Sequence, residues 1–264
     1  MSVYKQNYTI VASEMDFTYH VSPQAILLYF QDTFARYLTS KYVAAFDVIK
    51  QNLIWVITEF DLHFTKERPL WADDIAVEME FTEISAIRMY VDFRLLDKSG
   101  EIFAHGTSCW VIIDSITKRP FSGVEMMAHA GIQGNGASKT KIARALSNEK
   151  VFYKAEEHQV NVTDLDFNGH MCNRSYVMIA MGTAPIDFIK NSTLQRMHVK
   201  FVREAFFGDL LTCNIYKAGD LEGVYWHNFV NKEGKEVCTI YSEWKQNEGK
   251  AKDVSDLIQR EALL

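Results

Sequence analysis

Apolar residues along this chain fall into two sets of elements of the same kind. Ser22-Pro23 makes an N-cap and first-turn pair, and the residues after it, Ala25 to Phe30 with Phe34, Tyr37 and Leu38, are apolar around most of a helical circumference. A helix with so little polar surface has to be buried. Beyond it, Leu53 to Phe64, Ile75 to Thr82, Met89 to Leu96 and Ile102 to Ile113 carry the β-branched and aromatic residues of strands, with a tight turn at Asp97 to Gly100. In the second half a helix starts near Asn173 and is broken by Gly182 or Pro185. Strands follow near Leu194 to Arg203, Leu210 to Lys217, Val224 to Asn231 and Glu236 to Gln246.

The two halves can be laid over one another. Ile10 to Ser22 matches Val160 to Cys172 at a constant offset of 150, placing Asp16 on Asp166, Phe17 on Phe167 and His20 on His170. Arg68 to Asp74 lies over Arg203 to Asp209 at offset 135, and Asp97 to Gly100 over Asn231 to Gly234 at offset 134, with Trp110 on Trp244. Three anchors in one order point to duplication. One buried helix with an antiparallel sheet curled around it, twice over, is an α+β fold of two tandem hotdog domains. The glycine-rich stretch from Gly131 to Ser138 separates them, so the expected organisation is an N-terminal domain over 1–130, a linker over 131–150 and a C-terminal domain over 151–264.

Composition narrows the function. With 264 residues and 48% apolar content the chain can bury a full core, which excludes a disordered protein. A net charge of −6 argues against bulk nucleic-acid binding. The N-terminus shows no leader and no apolar run reaches membrane-span length, so a cytoplasmic protein is expected. Four scattered cysteines without a CxxC pair fit a reducing compartment. Gly131 to Lys139 is no phosphate-binding loop, because Ala137 stands where Lys must follow the second glycine. A GxSxG nucleophile elbow is absent. His170-Met171-Cys172 lacks the second His/Cys cluster a zinc site needs, and neither metal nor cofactor is expected.

Asp164-Leu165-Asp166-Phe167-Asn168-Gly169-His170-Met171-Cys172-Asn173-Arg174-Ser175-Tyr176 resembles the D-L-D-x-N-x-H-x-N-N-x-x-Y signature of the acyl-ACP thioesterases of bacteria and plastids. Val202-Arg203-Glu204-Ala205 is similar to the family's strand ending in R-E-C, and Arg68 to Asp73 and Trp110 to Pro120 carry further family-like features. The resemblance implies release of free fatty acid from acyl carrier protein, with a catalytic set in the second half: Asp166, Asn168, His170 and Glu204. Cys172 and Ala205 depart from the family pattern, and Ala205 rules out a thiol at that position.

Thioester hydrolysis needs a water made nucleophilic near neutral pH and donors for the oxyanion of the tetrahedral intermediate. Asp166, Asn168 and His170, at i, i+2 and i+4, share one face of an extended segment. The helix that begins just after them offers free backbone N–H groups and a positive dipole end. Either Glu204 or Asp166 can activate the water, Asn168 can position it, and His170 can protonate the leaving sulfur. Attack by Asp166 through an anhydride is also open. A capped turn is the duller reading of the same residues.

In the first half Asp16 and His20 are kept, but Thr18 stands where Asn168 does and Pro69 where Glu204 does. That half is therefore expected to be catalytically silent and to hold the acyl chain with Met15, Phe17, Leu27, Phe30 and Trp55. Lys139, Lys141, Arg144, Lys150 and Lys154 form a basic run suited to docking an acidic carrier protein, or merely a solvated linker face. Alternative functions are an acyl-coenzyme A thioesterase and a non-catalytic acyl-thioester binding protein. A homodimer stays open.

Overall fold

The chain forms two helix-and-strand units whose strands join in one antiparallel sheet, seen in a computed structural model that describes residues 3–136, 142 and 149–247. The first unit runs β1 (Tyr4–Thr9), α1 (Pro23–Ser40), α2 (Ala45–Val48), β2 (Leu53–Phe64), β3 (Asp74–Ile84), β4 (Met89–Leu96), β5 (Ile102–Asp114), β6 (Pro120–Phe121) and α3 (Val124–His129). The second runs β7 (Lys150–Gln159), α4 (Asn173–Gly182), α5 (Ile186–Lys190), β8 (Ser192–Phe201), β9 (Leu210–Ala218), β10 (Val224–Val230) and β11 (Glu236–Gln246). Across the sheet the order is β1-β3-β4-β5-β2-β8-β11-β10-β9-β7, with β6 attached to β5. Each unit is thus a helix wrapped by an antiparallel sheet, the hotdog arrangement, in tandem. Among the described residues no helix is long and apolar enough to cross a membrane.

The seam between the units is the β2–β8 pairing, where Asp61 lies opposite His198. Arg196 bridges it: its Nε and Nη2 reach the two oxygens of Asp61 at 2.8 and 3.0 Å, and its Nη1 reaches Glu243 at 3.2 Å. Burial alone would raise the Asp61 carboxyl, but the hydrogen bonds from His63 and Arg196 outweigh it and hold the group at about 2. α1 also packs against α4, so strand pairing and helix packing both tie the halves together.

The helices differ because their inward faces do. In the first half Phe30 stacks on Phe93 with ring centres 4.4 Å apart, and Phe34 stacks on Trp110 at 3.8 Å. At the equivalent positions of the second half stand Ala180 for Phe30, Ala184 for Phe34 and His227 for Phe93. With that aromatic wedge gone, α1's eighteen residues become α4, a break at Thr183-Ala184-Pro185, and α5. A small cavity opens there, lined by Ala180, Ala184, Phe188, Tyr225, His227 and Trp244. Thr183 Oγ1 donates to Ala180 O at 2.8 Å and lies 3.0 Å from His227 Nε2, so it accepts from that ring nitrogen. Burial holds the His227 imidazole down to about 4.

Candidate active site

Leu165 to Met171 carries the acidic and histidine residues up to the N-terminus of α4. The sequence places Asp166, Asn168 and His170 on one face of an extended segment; the structure corrects this, folding them into a tight turn. Asp166 N–H donates to His170 O at 2.8 Å, and Gly169, at φ 78°, donates to Asp166 O at 3.0 Å. The cause is the Asp166 side chain, whose Oδ1 accepts from the N–H groups of Asn168 at 2.8 Å and His170 at 3.2 Å. A carboxylate bonded to its own backbone two and four residues on selects a turn over a strand. Asp164 is structural too: it is buried, accepts from Asn161 N–H at 2.9 Å and pairs with His158 at 2.8 Å.

Glu204 reaches this turn from the loop after β8. Met171 N–H donates to Ala205 O at 2.8 Å, which lays that loop beside the turn and leaves Glu204 Oε1 3.7 Å from His170 Nδ1. The His170 ring stands edge-on to Phe206 at 5.0 Å. Asn168 and Phe167 lie exposed at the mouth, with Phe167 6.2 Å from Phe46 of the first half. Lys118, also from the first half, places its Nζ 3.3 and 3.4 Å from the two Glu204 oxygens. Sequence reasoning missed Lys118, Phe46 and Phe206. The family-like stretch from Trp110 to Pro120 contains the lysine, but nothing in its spacing pairs it with a residue 86 positions on.

The helix start differs between the halves. Cys172, the N-cap of α4, makes no side-chain cap, and Asn173 at the first helical position keeps its N–H. In α1 the Ser22 side chain accepts from Ala25 N–H at 3.3 Å and Pro23 supplies no N–H. A histidine–carboxylate pair beside an uncapped helix N-terminus can activate water and receive an oxyanion.

The turn recurs in the first half, with Asp16 N–H donating to His20 O at 2.9 Å and Thr18 N–H to Asp16 Oδ1 at 2.9 Å. Its surroundings require a second correction. The loop after β2 carries one residue more than the loop after β8, because Lys66 and Arg203 are equivalent at its start and Leu70 and Phe206 at its end. Pro69 therefore does not take the place of Glu204; it matches Ala205, with Val21 and Met171 N–H donating to the two carbonyls. Glu67 faces His20 at 3.1 Å, and the neighbouring Arg68 binds Asp16 at 2.6 Å. The first half keeps a histidine–carboxylate pair and adds a guanidinium clamp on its aspartate.

Of the residues expected to hold the acyl chain, Leu27 and Phe30 are fully buried in the core, Met15 and Trp55 pack against it partly buried, and Phe17 is half exposed. Trp55 Nε1 donates to Val43 O at 2.9 Å. Lys139, Lys141 and Arg144 lie outside the described residues. Lys150 sits 5.1 Å over the Trp226 ring and Lys154 pairs with Glu156. Among the described residues no group of His, Cys, Asp and Glu could hold a metal ion. Burial raises the Cys109 thiol, pushes Cys213 up to about 12 and puts Cys238 well above its ordinary value, the opposite of what a nucleophilic thiol needs.

Comparison with known proteins agrees with the fold and names the family. Residues 1–127 match the acyl-ACP thioesterase N-terminal domain and residues 147–246 the acyl-ACP thioesterase C-terminal domain. The chain is 23% identical to the chloroplastic palmitoyl-acyl carrier protein thioesterase of Arabidopsis thaliana over 92% of its own length, and spans 64% of that relative. Its fold is similar to the solved 12:0-ACP thioesterase from Umbellularia californica, with a TM-score of 0.80, 21% identity and coverage of 93% of this chain and 98% of that one. An acyl-ACP thioesterase from Bacteroides thetaiotaomicron gives 0.77, 16%, 92% and 98%. With both domain models matched in order along most of its length, this chain belongs to the acyl-ACP thioesterase family.

Proposed function

We propose that this protein hydrolyses long-chain fatty acyl-ACP to free fatty acid and ACP, with the chemistry at His170 and Glu204. The observation that carries the reading is their juxtaposition beside the uncapped start of α4. Glu204 is the general base, because it is the carboxylate facing His170, whereas one oxygen of Asp166 is taken up by the turn. Glu204 removes a proton from water as the oxygen attacks the thioester carbonyl, with Asn168 holding the water or the substrate. The oxyanion forms against the backbone N–H groups of α4, and on its collapse the C–S bond breaks and His170 protonates the thiolate. Attack by Asp166 through an anhydride is the weaker course, since its carboxylate is already held in the turn by two backbone N–H groups on one oxygen.

The first half is catalytically silent in this reading, for reasons other than a missing carboxylate. Arg68 neutralises Asp16, Thr18 replaces the amide, and Ser22 with Pro23 closes the helix start. Its role is to shape the acyl site, with Met15, Phe17 and Trp55 on accessible surface and Leu27 and Phe30 as the packed floor. The basic residues from Lys139 to Lys154 dock the carrier, whose acidic character they complement. Four free cysteines suit a reducing, cytoplasmic location. No second copy of the chain is required, because the β2–β8 seam already pairs two units.

Free-acid release from palmitoyl-ACP and palmitoyl-coenzyme A, measured on the pure protein, tests the substrate. The expected result is faster turnover of the carrier-bound chain at equal concentration. Preference for the coenzyme A ester would reassign the carrier, and binding without hydrolysis of either would remove the enzyme reading.

A further inference from the structure

We propose that Lys118, a residue of the first half, completes the second-half site by fixing the Glu204 carboxylate in place; this rests on Glu204 acting as the base. The Lys118 Nζ straddles both carboxylate oxygens at 3.3 and 3.4 Å. Glu204 itself lies outside regular structure, with its side chain 34% exposed, and His170 at 3.7 Å is too far to anchor it by a hydrogen bond. A flexible glutamate so placed needs a second partner to stay aimed at the histidine.

The lysine can serve because its own backbone is tied down. Asp114 Oδ1 accepts from the N–H groups of Ile116 at 2.9 Å and Thr117 at 2.7 Å, Lys118 N–H donates to Asp114 O at 2.8 Å, and Asp114 N–H donates to Arg119 O at 2.9 Å. At the start of the same turn, Ser115 N–H donates to Asn52 O at 2.8 Å. Lys118 takes φ 57°, in the left-handed region, a conformation unfavourable for a non-glycine residue. Its ion pair, with side-chain exposures of 53% and 34%, is too exposed to return much stability. Stability therefore does not account for the arrangement. Placing a fixed cation against the base does: it keeps the Glu204 carboxylate directed, and it makes the site dependent on a turn of the other half.

The test uses Lys118→Met and Lys118→Arg in the full chain, assayed on palmitoyl-ACP, with Lys118→Met also placed in a Glu204→Gln background. We expect Lys118→Met to lower kcat about tenfold, a fraction of what a general base contributes, with KM within about twofold. Lys118→Arg should restore at least about half of the lost turnover, since the charge is kept. In the Glu204→Gln background Lys118→Met should cost nothing further, because a residue acting through Glu204 has nothing left to position. A kcat within about twofold of wild type, a loss confined to KM, or the same proportional loss in both backgrounds would overturn the assignment. Wild-type turnover by Glu204→Gln alone would instead remove the base reading, and the role of Lys118 with it.

Discussion

Asp166 and Glu204 both meet His170 but are engaged differently, Asp166 through the histidine's backbone N–H and Glu204 through its ring. Asp166 spends an oxygen on two backbone N–H groups of its own turn, and Glu204 faces His170 and Lys118 from a separate loop. Replacement by the amide separates the two roles, because Asn keeps an oxygen for the turn while Gln cannot take a proton from water. Asp166→Asn should retain turnover within about tenfold of wild type, whereas Glu204→Gln should lose about 10²–10⁴-fold, the usual weight of a general base. Steady-state kinetics on palmitoyl-ACP checks this; equal losses would return Asp166 to the chemistry. The type of each candidate residue was legible in the sequence. Its engagement was not, because an Asx-type turn and an extended segment fit the same D-x-N-x-H spacing.

At the scale of elements, the start of α4 and the break after it carry separate expectations. Asn173 holds the first helical position, where proline is tolerated, and Pro23 fills the matching place in α1. Asn173→Pro should leave the fold intact yet lower kcat by about 10²–10³-fold if that N–H receives the oxyanion; unchanged kcat in a folded variant would move the donor elsewhere. The second expectation concerns His227, held neutral by burial at about 4 against an ordinary value of 6.5. Between those values the unfolded chain binds a proton that the folded chain does not, so stability falls as pH drops from about 6.5 toward 4, by about 3 kcal/mol at most. The urea midpoint should fall over that range, and His227→Phe, which restores the residue type of Phe93, should flatten the change. An unaltered slope would show that other groups govern it. The helix break was readable from Gly182 and Pro185 and the central strands from their apolar runs. β1 and β7 were not, because YKQNYT and KVFYKAEEHQ are polar-rich edge strands defined by pairing with β3 and β9. Nor is the loop offset legible, since one added residue after β2 shifts Arg68 and Pro69 without altering the motif on either side.

For the whole molecule, the duplication produces two similar turns with unequal surroundings. Strand pairing across Asp61 and His198 and the buried Asp61–Arg196 pair hold the halves as one body, and that is what lets Lys118 and Phe46 of the first half meet the turn of the second. The tandem fold could be read from the repeat at offset 150; the meeting of the halves could not, since it depends on residues far apart in sequence. The account's central claim is that one half carries the chemistry although both keep a histidine–carboxylate pair. The most direct measurement is kcat/KM for palmitoyl-ACP in His170→Gln and His20→Gln, each confirmed folded by its urea midpoint. The account predicts a loss on the order of 10²–10³-fold for His170→Gln and no more than about threefold for His20→Gln. Comparable losses in the two variants, or a larger loss for His20→Gln, would contradict it.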